Sequence, residues 1–234
     1  MYNKLLIILT TILLLGISCN HSDNQEKQQE KTEYTYLALG DSYTIGEKVD
    51  KNDRFPVQLA DTLKSSGVRV EETKIIAKTG WTTEDLKRGI EQDTLRETYD
   101  FVTLLIGVNN QYQGKDVENY RPEFKELLKK AIDFAGGKAE KVVVLSIPDW
   151  GVTPYAASRD RETIAREIDA YNQVNREITK NLGANYVNIT PISKKAKENP
   201  KLLAKDGLHP SGKMYAMWVD KMFSVVKKAI TEES

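Results

Sequence analysis

Tyr36-Leu37-Ala38-Leu39-Gly40-Asp41-Ser42-Tyr43-Thr44 is an apolar run that stops at a polar turn. The run reads as a buried strand. A serine at the end of such a strand is well set for chemistry. The strand holds its backbone, and the loop or helix start that follows leaves the hydroxyl and the amide N–H free. Gly-Asp-Ser is equally good turn chemistry, so the stretch alone leaves two readings open. The test is whether the rest of the chain supplies a base, an acid to orient it and donors for an oxyanion.

Similar apolar runs recur downstream. Val68 to Ala77 ends in Ile75-Ile76-Ala77, Phe101 to Ile106 and Val142 to Ile147 are continuous, and Tyr186 to Ile189 is short. Helical patterns lie between them. Phe55, Leu59 and Leu63 share helical spacing within Arg54 to Lys64, where Pro56 sits early enough to be tolerated. Thr82 or Thr83 can cap a helix running to about Gln92. Further helices are predicted over Arg121 to Phe134, Arg161 to Leu182, a short piece from Pro191 to about Lys197, and Ser211 to about Ile230 with Trp218 in the core. Asn109 to Tyr120 and Asp149 to Arg159 read as loops.

Strands that alternate with helices, several of them uniformly apolar, predict an α/β domain. It is a three-layer sandwich whose five-stranded, mostly parallel sheet is covered by helices on both faces. Ligands of such sheets bind outside the carboxyl ends of the strands. Four polar turns are expected there, carrying Ser42, Gly80, Asn109 and the pair Asp206 and His209. No internal repeat is evident.

The chain of 234 residues has 34 Lys plus Arg and 34 Asp plus Glu, so it lacks the net field that steers nucleic acid. Residues 1–19 read as a signal peptide: Lys4 is basic, and Leu5 to Leu15 is apolar except for Thr10 and Thr11. The run is shorter than the ~20 residues of a membrane-spanning helix. Leu15-Gly16-Ile17-Ser18-Cys19 resembles a bacterial lipobox, with Gly16 where Leu is usual. That resemblance implies cleavage before Cys19 and lipid attachment to its thiol; an ordinary signal peptide with an incidental cysteine is the alternative. Cys19 is the only cysteine, so no internal disulfide framework explains it. Residues 20–33 are expected to be a flexible tether. Residues 34–234, about 200, are enough for one well-cored domain. The expectation is an exported monomer held in the cell envelope, at its periplasmic or surface face, by a lipid on Cys19.

The scarcity of histidine is the sharpest constraint. There are two, and His21 lies in the expected tether. A histidine base for Ser42 can therefore only be His209, in Asp206-Gly207-Leu208-His209-Pro210. An acid three residues before a histidine, across a glycine-containing turn, can reach back to the imidazole. One cysteine and two histidines make a zinc site implausible.

Gly40-Asp41-Ser42, Gly80, Gly107-Val108-Asn109 and Asp206-Gly207-Leu208-His209 follow one another at successive strand ends. In that order they closely resemble the SGNH hydrolases, a branch of the GDSL esterase and lipase family, over about Tyr34 to Ile230. The resemblance implies the flavodoxin-like fold of that family and no cofactor or metal. It implies a Ser42, His209 and Asp206 triad working through an acyl-enzyme. It also implies an oxyanion hole made by the N–H of Ser42, the N–H of Gly80 and the side-chain amide of Asn109. Gly80 is expected to let the backbone approach closely. Asp41 is expected to brace the turn. One departure stands out: the family's third block usually ends in Asp, and Asn110 takes that place here.

The substrate is less sharply read. Tyr43, Trp81, Tyr112, Trp150 and Tyr155 are expected near the site, where they could line an acyl pocket, stack on a sugar or simply pack the loops. A short polar loop after Asn109 argues for a small acyl group over a long-chain triglyceride. A glycan or lipid ester is the expected partner. An acylesterase of lysophospholipase type stands first, a carbohydrate O-deacetylase second, and a non-catalytic binding lipoprotein third.

Overall fold

A computed structural model describes residues 33–232. The signal peptide and lipobox expected over residues 1–19, with Cys19, and the tether up to residue 32 lie outside the described residues.

In chain order the elements are β1 (Glu33–Gly40), α1 (Ser42–Ile45), α2 (Phe55–Ser65), β2 (Arg69–Ala77), α3 (Thr83–Gln92), β3 (Phe101–Leu105), α4 (Val108–Tyr112) and α5 (Val117–Phe134). They continue with β4 (Val142–Leu145), α6 (Arg161–Asn181), β5 (Asn185–Val187), α7 (Thr190–Lys194) and α8 (Gly212–Thr231). All strand pairs are parallel, in the order β2-β1-β3-β4-β5. Helices α2 and α8 pack together on one side, and α3, α5 and α6 pack side by side on the other. Parallel strands buried on both faces need uninterrupted apolar residues. Accordingly Leu37, Leu39, Phe101, Leu104, Val143 and Val144 are all buried. Each such side chain contributes about 1.5–3 kcal/mol on burial.

Register brings the strand ends level: Gly40 pairs with Ala77 on one side and Leu105 on the other. The chain runs outward from β1 to β2, then crosses back to β3. The order therefore reverses at β1 and β3, and a crevice opens where their loops part. The turns bearing Ser42 and Asn109 leave the sheet at that point.

Two segments differ from the sequence reading, each for a local reason. Residues 109–120 do not form one loop. Val108 to Tyr112 make a helical turn, and α5 begins at Val117 rather than Arg121, because the Asp116 side chain caps it by accepting the Glu118 N–H. Pro122 is carried inside α5. The last strand stops at Val187 rather than Ile189. The Ser146 hydroxyl takes the N–H groups of Ile189 and Thr190 at 2.8 and 3.0 Å, so a side chain replaces the ladder.

Candidate active site

The site starts at the end of β1. A side chain at Gly40 would put its Cβ 2.1 Å from Thr44 Oγ1 and 2.4 Å from the Leu105 carbonyl, so only glycine fits. Asp41 caps α1, its Oδ1 accepting the Tyr43 N–H at 3.0 Å. It is buried, its Oδ2 has no donor among the described residues, and desolvation pushes its carboxyl up to about 7. Ser42 is the first residue of α1 and is 5% exposed.

Asp206 and His209 meet within a single turn. His209 Nδ1 lies 2.6 Å from Asp206 Oδ2, and Asp206 Oδ1 accepts the N–H groups of Leu208 and His209 at 3.0 and 3.1 Å. Burial acts to raise the Asp206 carboxyl, but the imidazole and these two N–H donors outweigh it and hold the group below the ordinary carboxylate range. A carboxylate on Nδ1 selects the tautomer with the proton there, which leaves Nε2 as the acceptor. His209 is 8% exposed, and the buried Tyr43 ring packs against it with centroids 5.7 Å apart.

Gly80 and Asn109 complete the rim. Gly80 has φ +84°, and a Cβ there would touch nothing within 4 Å. Within the protein, glycine is required at this turn by a left-handed backbone, and crowding plays no part. Asn109 donates Nδ2–H to the Trp81 carbonyl at 2.9 Å, which leaves its second amide hydrogen free to turn towards a ligand.

Ser42, Gly80, Asn109 and His209 line one cavity of about 140 Å³. Of the aromatics expected there, Tyr43, Tyr112, Trp150 and Tyr155 line it too. Trp81 does not; its ring lies over Gly89 of α3. Trp150 is pinned from below, donating Nε1–H to Gln111 Oε1 at 2.8 Å. Tyr112 and Tyr155 stand at the mouth, 44% and 48% exposed, with their hydroxyls 3.2 Å apart. Thr79, Val108 and Leu208 also contribute, each a chain neighbour of a motif residue, and adjacency alone could have flagged them.

Asn110, where the related pattern has Asp, is fully buried behind Asn109. Its amide bonds to Thr83 at the start of α3 and to Glu123 on α5. Neither Thr83 nor Glu123 carries a motif; the sequence marks Thr83 only as a cap candidate, a role that Thr82 fills, and gives no sign of Glu123.

Comparison with known proteins completes the picture. The family model described as GDSL-like Lipase/Acylhydrolase matches residues 38–217. No curated protein matches the chain in sequence. Among solved structures it is similar to TesA, at 16% identity and TM-score 0.66, covering 83% of this chain and 99% of that one. It is similar to the lipase/acylhydrolase from Enterococcus faecalis, at 20% identity and TM-score 0.63, covering 86% and 100%. It is also similar to Axe2, an acetylxylan esterase from Geobacillus stearothermophilus, at 17% identity and TM-score 0.62, covering 86% and 95%. At these identities the structural likeness speaks for the α/β fold, and the family model speaks for the chemistry. The chain belongs to the GDSL-like lipase/acylhydrolase family, and it is a carboxylic ester hydrolase.

Proposed function

We propose that the protein is a serine esterase for small acyl groups, working through a Ser42, His209 and Asp206 triad and an acyl-enzyme. One observation carries this reading: His209, held by Asp206 at 2.6 Å, lines the same 140 Å³ cavity as Ser42, Gly80 and Asn109. Ser42 Oγ attacks the ester carbonyl while His209 Nε2 takes its proton. Asp206 holds the ring by Nδ1 and stabilises the imidazolium that forms. The negative oxygen of the tetrahedral intermediate is met by the N–H of Ser42, the N–H of Gly80 and Nδ2 of Asn109. Each donor is worth roughly 3 kcal/mol in the transition state. The imidazolium then protonates the leaving alcohol, and water repeats the cycle on the acyl-enzyme.

Labelling with a fluorophosphonate probe tests the nucleophile. Wild type should label and Ser42→Ala should not. An unlabelled wild type, or equal labelling of both, would overturn the assignment of Ser42 as the nucleophile.

A second reading, a carbohydrate O-deacetylase, draws on the two exposed tyrosines at the cavity mouth. A tyrosine offers an apolar face and a polar tip together, which suits a sugar ring as well as it suits an alkyl chain. Rates on p-nitrophenyl acetate, butyrate and octanoate set against acetylated xylan separate the two. A steep preference for the sugar ester would select the second.

We further propose that a lipid on Cys19 holds the enzyme at a membrane of the cell envelope. The lipobox-like run ending in Cys19 supports this reading. Cys19→Ser should release the protein into the soluble fraction, and persistent membrane association would count against the anchor.

A further inference from the structure

We propose that Glu123 is a positioning residue for the oxyanion side of the site, and that its carboxylate is the reason position 110 carries an amide. This rests on the assignment of Gly80 and Asn109 as oxyanion donors.

The geometry is a closed set of bonds between three helices. The Thr83 N–H donates to Asn110 Oδ1 at 3.1 Å, which fixes the amide with its oxygen towards α3. Asn110 Nδ2 then donates to Thr83 Oγ1 at 2.7 Å and to Glu123 Oε2 at 3.3 Å. The Thr83 hydroxyl spends its only hydrogen on the same Glu123 oxygen. Every side-chain hydrogen of Asn110 and Thr83 is thus taken, and a reversed amide would set NH₂ against N–H.

The consequence reaches the site through chain neighbours. Thr83 lies two residues beyond Trp81, whose carbonyl orients the Asn109 amide. The same segment carries Gly80, and Thr82 caps α3 in a reciprocal box with Asp85. Asn110 directly follows Asn109 on α4. Glu123 therefore ties the turn that bears one oxyanion donor to the helix that bears another.

An aspartate at 110 could keep the bond from the Thr83 N–H. Its second oxygen would face Glu123 Oε2 at hydrogen-bond range with only the Thr83 hydroxyl hydrogen to share. Two carboxylates so placed cannot both ionise, and one holds a proton. The ionisable groups nearby offer no relief. Among the described residues Glu123 has no cationic partner: Lys115 pairs with Glu84, Lys87 pairs with Glu126, and Arg88 pairs with Asp85. Tyr171 of α6, within electrostatic range of Glu123, is neutral and is itself flanked by Glu167 and Asp116.

Asn110→Asp, alone and with Glu123→Gln, tests this directly. Hydrolysis of p-nitrophenyl acetate is read as the ratio of variant to wild type at each pH, which cancels the titration of the shared base. Asn110→Asp should hold a ratio within threefold at pH 5 and fall at least tenfold by pH 8, in kcat with KM within twofold. Glu123→Gln in that background restores an amide–carboxylate pair with the roles exchanged, and should return a flat ratio. Melting followed by circular dichroism gives a readout that needs no activity. The Asn110→Asp melting temperature should fall below wild type as pH rises from 5 to 8 and recover in the double variant. If wild type hydrolyses nothing, the esterase reading fails while the melting series still decides the pairing. Should Asn110→Asp fail to fold, Glu123→Ala gives the decision, with kcat expected to drop about tenfold at unchanged KM. A pH-independent ratio and melting difference, no recovery in the double variant, or an unchanged Glu123→Ala would overturn the proposal.

Discussion

The two sides of the cavity are built in opposite ways. The side proposed to hold the base is local. Asp206 and His209 are three residues apart, and one turn supplies the 2.6 Å contact together with both backbone donors to the acid. The side proposed to hold the oxyanion donors is assembled from afar. Gly80 comes from the turn before α3, Asn109 from α4, and the bonds that align them pass through Thr83, Asn110 and Glu123 on three helices. A local device survives small shifts of the scaffold because its parts move together. A distributed device depends on how helices pack, and it has to be held by a closed set of bonds.

The largest effect should come from the local side. Asp206→Asn keeps an oxygen to accept the N–H groups of Leu208 and His209, so the turn persists. The new NH₂ faces Nδ1, which drives the ring proton to Nε2, the nitrogen proposed to act as base. We expect kcat to fall by about 10⁴-fold, with the fold retained and the melting temperature lowered only by the loss of the carboxylate's contribution. Steady-state turnover of p-nitrophenyl acetate within tenfold of wild type would mean that another group orients His209.

Asn109→Ala tests the distributed side. A loss of about 10²–10³-fold in kcat with little change in KM is expected for one oxyanion donor. If KM carried the loss instead, the amide would be holding the ground state and the comparison would collapse. Gly80→Ala should cost less. Its Cβ meets nothing, so the penalty is that of a left-handed backbone, about 1 kcal/mol. A destabilisation well above that in urea melts would show that the turn tolerates no adjustment.

The smallest effect separates the two carboxylates of the site, Asp206 and Asp41. For Asp206 the folded value is lowered, so its stabilisation is present above the ordinary carboxylate range and is lost on acidification. For Asp41 the sign is reversed. Between 3.8 and about 7 the folded protein holds a proton there that the unfolded chain releases, so this group's contribution falls as pH rises through that window and levels off above it. Asp41→Asn preserves the cap on α1 and should remove this decline in urea melts taken at pH 5, 6, 7 and 8. Identical pH slopes in the two proteins would show that Asp41 is better solvated than its burial implies.

The same contrast explains what could be read before the structure. The apolar runs at Leu37 to Leu39, Phe101 to Leu105 and Val142 to Leu145 announce parallel strands because both faces are buried. The acid and the histidine of the base side are visible as a four-residue string. Where the reading missed, a side chain acted over a distance that sequence spacing does not reveal. Ser146 ended β5 early by taking the Ile189 and Thr190 N–H groups. Trp81 looked like a lining residue by its place beside Gly80, yet its ring turned onto α3. Glu123 looked like one more charge on an amphipathic helix.

By itself, then, the sequence determined the α/β architecture and placed Ser42, Asp206 and His209 as the residues proposed to act as nucleophile, acid and base. Those depend on periodicity and on residues a few positions apart, where backbone geometry leaves few choices. Only the tertiary structure decided which aromatics face the cavity, why Gly80 is glycine, and why Asn110 stands where an acid is usual. The Gly80 answer depends on a left-handed backbone that the turn imposes, and the other two depend on the partner that packing brings to a side chain from another element, 40 residues away in the case of Thr83 and Glu123.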